Sequence, residues 1–148
     1  MKESLKLAGH GYFEIRKNGV KIDSWETDNI IVTSGKVQVA KLLNGVDATF
    51  FDTIAIGEGE TVDSVVVGDT ALKTEVARAE ATLSYDDTAK AVFEHTFAFG
   101  TAEAYAITEA GIFNSQSAGG DMLDRFVFSA KNVDVDTDLY IKITITVA

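Results

Sequence analysis

The stretch "DLYIKITITV" alternates strictly: Leu139, Ile141, Ile143, Ile145 and Val147 fall on one parity, with Tyr140, Lys142, Thr144 and Thr146 on the other. Only an extended strand sends successive side chains to opposite faces, so this run needs a sheet with one dry and one wet face. The same rhythm dominates the chain. In "HGYFEIRKNGVKIDSWE", Tyr12, Glu14 and Arg16 alternate with Phe13 and Ile15. Asn18-Gly19 follows, a pair that accepts the positive φ of a tight hairpin turn. Val20, Ile22 and Trp25 return, with a parity slip between Ile22 and Trp25 that predicts a bulge. "TEVARAEATLSY" places Ala79, Ala81, Leu83 and Tyr85 on one side, and "KAVFEHTFAFG" does the same with Phe93, Phe97 and Phe99. "YAITEAGIFN" and "MLDRFVFS" form a further antiparallel pair across "SQSAGGD".

One segment departs from period two. In "SGKVQVAKLLNG", Val37, Ala40 and Leu43, with Val39 and Leu42 beside them, recur at helical spacing. Ser34 is placed to cap the start and Gly45 to end the helix. The expectation is an α-helix near residues 35–44 whose apolar stripe faces the core. Eight to ten short strands, frequent turn signals and one helix predict a mainly β chain. Its class is an antiparallel β-sandwich, jelly-roll-like or a barrel variant, formed as a single domain over residues 1–148.

A chain of 148 residues can bury a core without a disulfide or metal, and it has no cysteine to supply one. Its net charge of −10 argues against nucleic acid and against an anionic membrane surface as partners. That charge reads first as a solubility feature, and the sharper alternative is a partner with a basic face. The N-terminal stretch lacks the apolar core of a secretory signal, and the expectation is synthesis and first folding in a cytoplasm.

Residues that carry chemistry are sparse. His95 shares the parity of Phe93 and Phe97 and reads as a core or edge residue; His10 reads as exposed. "GEGETVDSVVVGDT" has glycines but no G-K-[ST], so it is no phosphate loop. Gly57 and Gly59 are expected to let the chain leave the "TIAI" strand sharply. "DVDTD", Asp134 to Asp138, fails as an EF-hand because Leu139 stands where the loop glycine belongs and Ile145 where the last acid belongs. It reads as a polar turn into the last strand. No cofactor and no enzymatic activity are expected.

Glu109 is the exception. It interrupts the apolar run "AITEAGIFN" and needs a cation if it is buried. Arg78 and Arg125 interrupt neighbouring strands, and either is a candidate partner. The pair would fix strand register, with Gly111 admitting a close backbone.

In order, "NIIVTSGKVQVAKLLNG", "FFDTIAIGEG", "TALKTEVAR", "ITEAGIFN" and "MLDRFVFS" resemble a pattern found in tailed bacteriophages. It is similar to small virion structural proteins and to the particle-attaching N-terminal region of tail-collar fibre proteins. Those share a helix ending in Asn-Gly or Ala-Gly and an apolar strand into G-x-G. They also share T-x-L-x-x-E-x-x-R, matched here by Thr70, Leu72, Glu75 and Arg78, and E-x-G-[LI]-F, matched by Glu109, Gly111, Ile112 and Phe113. The resemblance spans residues 29–128. It implies an architectural role in a virion, made in the bacterial host's cytoplasm, with other capsid, neck or tail proteins and copies of itself as partners. Without a fibrous shaft after Ala148, the expectation is a compact collar, adaptor or capsid-decoration subunit. The first hairpin and the closing strand are expected docking edges, and residues 57–69 a contact arm. The alternative is a carbohydrate-binding β-sandwich using Trp25, Tyr12, Tyr85, Tyr105 and Tyr140 as stacking platforms.

Overall fold

A computed structural model describes residues 3–59 and 65–148. Among them are ten strands and one helix: β1 (Leu7–Lys17), β2 (Val20–Asp28), β3 (Ile30–Ile31), α1 (Thr33–Asn44), β4 (Thr53–Gly57), β5 (Glu75–Glu80), β6 (Thr82–Asp86), β7 (Lys90–Ala98), β8 (Tyr105–Phe113), β9 (Met122–Val133) and β10 (Thr137–Val147). They form two antiparallel five-stranded sheets, ordered β2-β1-β10-β7-β6 and β3-β9-β8-β4-β5. The fold is a β-sandwich. Each sheet keeps two free ends, so the barrel variant is set aside.

The core lies between the sheets. Leu139, Ile141, Ile143 and Ile145 of β10 meet Ile54, Ile56, Ile107, Ala110, Ile112 and Phe126 of the facing sheet. Phe93, Phe97 and Phe99 are buried as their parity predicts, while Val147 at the strand end is partly exposed. Asn18 and Gly19 both take positive φ, 52° and 76°, in the two-residue turn that the right-handed twist of a hairpin favours. Arg16 pairs with Lys21 but Ile15 with Asp23, so Ile22 is the extra residue of a bulge. Past it, Trp25 lies opposite Phe13 with rings stacked at 5.2 Å.

Three expectations change. "TEVARAEATLSY" is not one strand: the chain crosses between sheets at buried Ala81, whose N–H donates to Asp52 O at 2.7 Å. Beyond it, β6 is the edge strand beside β7, and Leu83 and Tyr85 are exposed. The closing strand is no edge: β10 sits between β1 and β7, and the free edges are β2, β6, β3 and β5.

The third change is in α1. Gly45 ends it with φ 73°, but Val32 is its N-cap, and Ser34 Oγ instead donates to Met122 O at 2.8 Å. The helix turns Gly35 and Gln38 to the sheet; of the expected stripe, Val39 and Leu42 pack partly buried against the core, while Val37, Ala40 and Leu43 turn outward. A Cβ at residue 35 would stand 2.6 Å from Leu123 O, so the helix backbone approaches where it has no side chain. Gln38 Nε2 donates to Thr49 O at 2.7 Å on that buried side. That rotation leaves Val37 and Leu43 exposed, Leu43 by 78%.

Candidate functional site

β8 is buried on both faces along its second half. Ile107, Ala110 and Ile112 face the main core. A register shift between Ile107 and Glu109 puts Glu109 on the other face. There Val32, Ala55, Leu72, Phe113 and Met122 form a smaller apolar cluster, with Leu72 lying in the segment that precedes β5. Glu109 is 1% exposed within this second layer.

Its partners come from β9 and from the segment before β5. Arg125 donates to Glu109 Oε1 through Nε at 3.0 Å and Nη2 at 2.9 Å. The backbone N–H of Lys73 donates to Oε1 at 2.9 Å, and that of Thr74 to Oε2 at 2.9 Å. Arg125 Nη1 also reaches Asp69 Oδ2 at 3.1 Å. Three of these donors meet Oε1 and one meets Oε2, so both oxygens are held. The carboxylate is out of water and joined at once to β9 and to the covering segment around residues 69–74. Neighbouring Thr108 completes the attachment, its hydroxyl donating to Gly59 O at 2.7 Å.

The glycines named from sequence surround this carboxylate, but for space. Neither Gly57 nor Gly59 has a positive φ. A Cβ on Gly57 would lie 2.6 Å from Glu109 Oε2, and one on Gly59 would lie 2.9 Å from it. At Gly111 a Cβ would meet Asp124 O at 2.8 Å. The sharp exit from the strand is therefore not their task; the Glu109 side chain fills the room they leave.

Arg78 is not part of this pair. Its fork grips Glu75, Nε to Oε2 at 3.0 Å and Nη2 to Oε1 at 2.6 Å. Its Nη1 collects three carbonyls of the β8–β9 connection: Ser115 O at 2.9 Å, Ser117 O at 2.7 Å and Gly119 O at 2.8 Å. The guanidinium rests 4.2 Å from the Phe113 ring centroid. One arginine thus closes a loop whose sequence reads as flexible.

A second buried acid was not signalled. Asp124 Oδ1 accepts from Ile112 N–H at 3.0 Å, and its other oxygen accepts from the Asn29 amide. Among the described residues no cation pairs with it, and burial pushes its carboxyl up to about 7. Asn29 in turn lies over Gly9, where any Cβ would overlap its side chain. Asp124 sits between Leu123 and Arg125 in "MLDRF".

Of the proposed stacking residues, Trp25 is packed against Phe13 and Phe128, and Tyr105 against Phe99. Tyr12 and Tyr140 line a shallow groove of about 480 Å³ on the outer face of the first sheet. There Arg16 covers Tyr140 at 4.4 Å, and Tyr140 OH donates to Glu94 at 2.5 Å. At the groove's end His10 contacts Asp28 at 2.8 Å and Glu26 at 3.0 Å, and these two acids raise its pKa. His95 packs edge-on to Phe97 at 4.5 Å, and burial lowers its pKa. Asp134 accepts from Asp136 N–H at 2.9 Å in a plain turn. The contact arm read at 57–69 includes residues 60–64, which lie outside the described residues.

Among the described residues no group of three or more His, Asp or Glu is placed to hold a metal, and no helix is long and apolar enough to cross a membrane. No family model, curated protein or solved structure matches this chain.

Proposed function

We propose that the chain is a structural subunit of a tailed-bacteriophage particle, a compact multi-copy adaptor, collar or decoration piece. One observation carries the reading. The segments behind the sequence resemblance, scattered over residues 29–128, are neighbours in space: β3 with α1, β4, β5, β8 and β9 make up one sheet and its helix. Their signature residues have linked tasks there. Glu109 ties β8 to β9, Leu72 fills the layer over Glu109, and Glu75 with Arg78 closes the next loop.

Such a unit resists deformation and keeps free strand edges, which suits assembly. Its partners are other virion proteins and its own copies, and its acidic surface suits a basic lattice patch. Many weak contacts in a symmetric array add by avidity. The test is gold-labelled antibody against the purified chain, applied to intact particles from the encoding host. Regular labelling of head, neck or tail is expected. Protein found only in the soluble host fraction contradicts the reading.

The Tyr12–Tyr140 groove favours a second reading, a glycan-contacting module. It ranks lower because Arg16 already occupies one face of the Tyr140 ring. Binding on a glycan array that is lost with Tyr12→Ala would reverse this order.

A further inference from the structure

The face that α1 turns outward forms one wall of an apolar groove. Val39, Ala40 and Leu43 face Leu5 and Leu7 across about 560 Å³, and the remaining lining residues are Lys6 and Lys36. Leu5 is 72% exposed and Leu43 78%. In a chain of net charge −10, this groove has two cations and no acid on its walls. Neither lysine forms an ion pair among the described residues. An occupant that fits presents an apolar side chain between carboxylates.

This chain carries that shape on itself. In the β9–β10 turn, Val135 is 48% exposed between Asp134 and Asp136. The turn is held in form by Asp136 N–H to Asp134 Oδ1 at 2.9 Å and by Thr137 N–H to Asp134 O at 3.1 Å, so little order is lost on docking. Intramolecular docking is impossible. Leu7 in the groove pairs with Val147 at one end of β10, whereas the turn precedes Thr137 at the other. Eleven strand residues separate them, about 35 Å.

We propose that the α1 groove receives the Asp134-Val135-Asp136 turn of a second copy of this chain. Val135 enters between Leu5 and Leu43, while Asp134 and Asp136 face Lys6 and Lys36. Charge selects this turn over the exposed Val20, which Gly19 and Lys21 flank, and the exposed Ile22, which has Lys21 on one side and a single acid, Asp23, on the other. A groove-to-groove dimer would set lysine against lysine. The contact is therefore heterologous, and repeating it yields a ring or an open stack. This deepens the multi-copy reading above. Particle labelling does not require the contact, so the two proposals fail separately.

Sedimentation equilibrium of the full chain up to about 1 mM tests it. Reversible, salt-weakened association is expected. Val135→Asp and Leu43→Glu, both at exposed positions, should each weaken it at least roughly tenfold while the circular dichroism is retained. Mixing the two variants should restore dimers and nothing larger, because each keeps one competent half. Lys36→Glu should weaken association, and adding Asp136→Lys should recover it. A monomer throughout, association indifferent to Val135→Asp, or a Leu43 that serves only binding to phosphatidylglycerol vesicles would overturn the proposal.

Discussion

Glu109 and Asp124 are buried acids on adjacent strands with opposite solutions. Glu109 has an arginine and two backbone donors, which hold a charge out of water. Asp124 has only two neutral donors, so desolvation dominates and raises its pKa from 3.8 to about 7. A raised acid binds its proton more tightly when folded. Its stabilising share is full below about pH 3.8 and is lost as pH rises through about 7, on the order of 4 kcal/mol in all. Asp124→Asn keeps the acceptor for Ile112 N–H and removes the charge. Urea unfolding should show it more stable than the parent at pH 8 and little changed near pH 4. Glu109 was legible in the sequence because an acid in "AITEAGIFN" has no exposed reading. Asp124 was not, because an acid beside Arg125 looks paired until the strand shows that the two side chains point apart.

Elements follow backbone approach as much as hydrophobic pattern. The apolar spacing named α1 and, through Val39 and Leu42, part of the face it packs on the core, but not the outward turn of Val37, Ala40 and Leu43, since Gly35 against Leu123 decides the rotation. A sequence does not display which glycine another backbone will touch. The same logic applies to β4. Gly57→Ala would push a methyl to within 2.6 Å of both Glu109 Oε2 and Thr74 O. It should cost about 1–3 kcal/mol in chemical unfolding, and Ala at exposed Gly68 should cost far less. Arg78→Met keeps much of the contact with Phe113 but frees three loop carbonyls. Amide exchange over residues 114–121 should quicken, while β10 amides stay protected.

For the whole molecule, Asn18-Gly19 reveals the hairpin turn, and period-two alternation reveals the class, the bulge and the buried parity of β7 and β10. It missed the crossing at Ala81, because the parity of "RAEATLSY" runs on without a break while the chain changes sheet. The pH profile is also a property of the whole. His10 is raised by Asp28 and Glu26, so its share is present below about pH 6.5 and fades as pH rises through its shifted value. Asp124 acts in the same direction, and partly buried His95, with its lowered pKa, acts against them. Below about pH 4, Glu14, Asp47 and Asp86, all lowered by hydrogen bonds, lose theirs. Thermal unfolding should therefore peak near pH 4, where the lowered acids have gained their share and Asp124 has yet to lose its own. Joining His10→Gln to Asp124→Asn should flatten the alkaline side.

The organising claim is that Glu109 is a clamp between β8, β9 and the segment that covers them. A double-mutant cycle on Glu109→Gln and Arg125→Met, read by equilibrium unfolding at pH 7, tests it most directly. Each single change should cost about 3–5 kcal/mol, and the double should cost clearly less than their sum, because the second change removes the charge the first left stranded. Single variants as stable as the parent, or costs that simply add, would contradict the clamp.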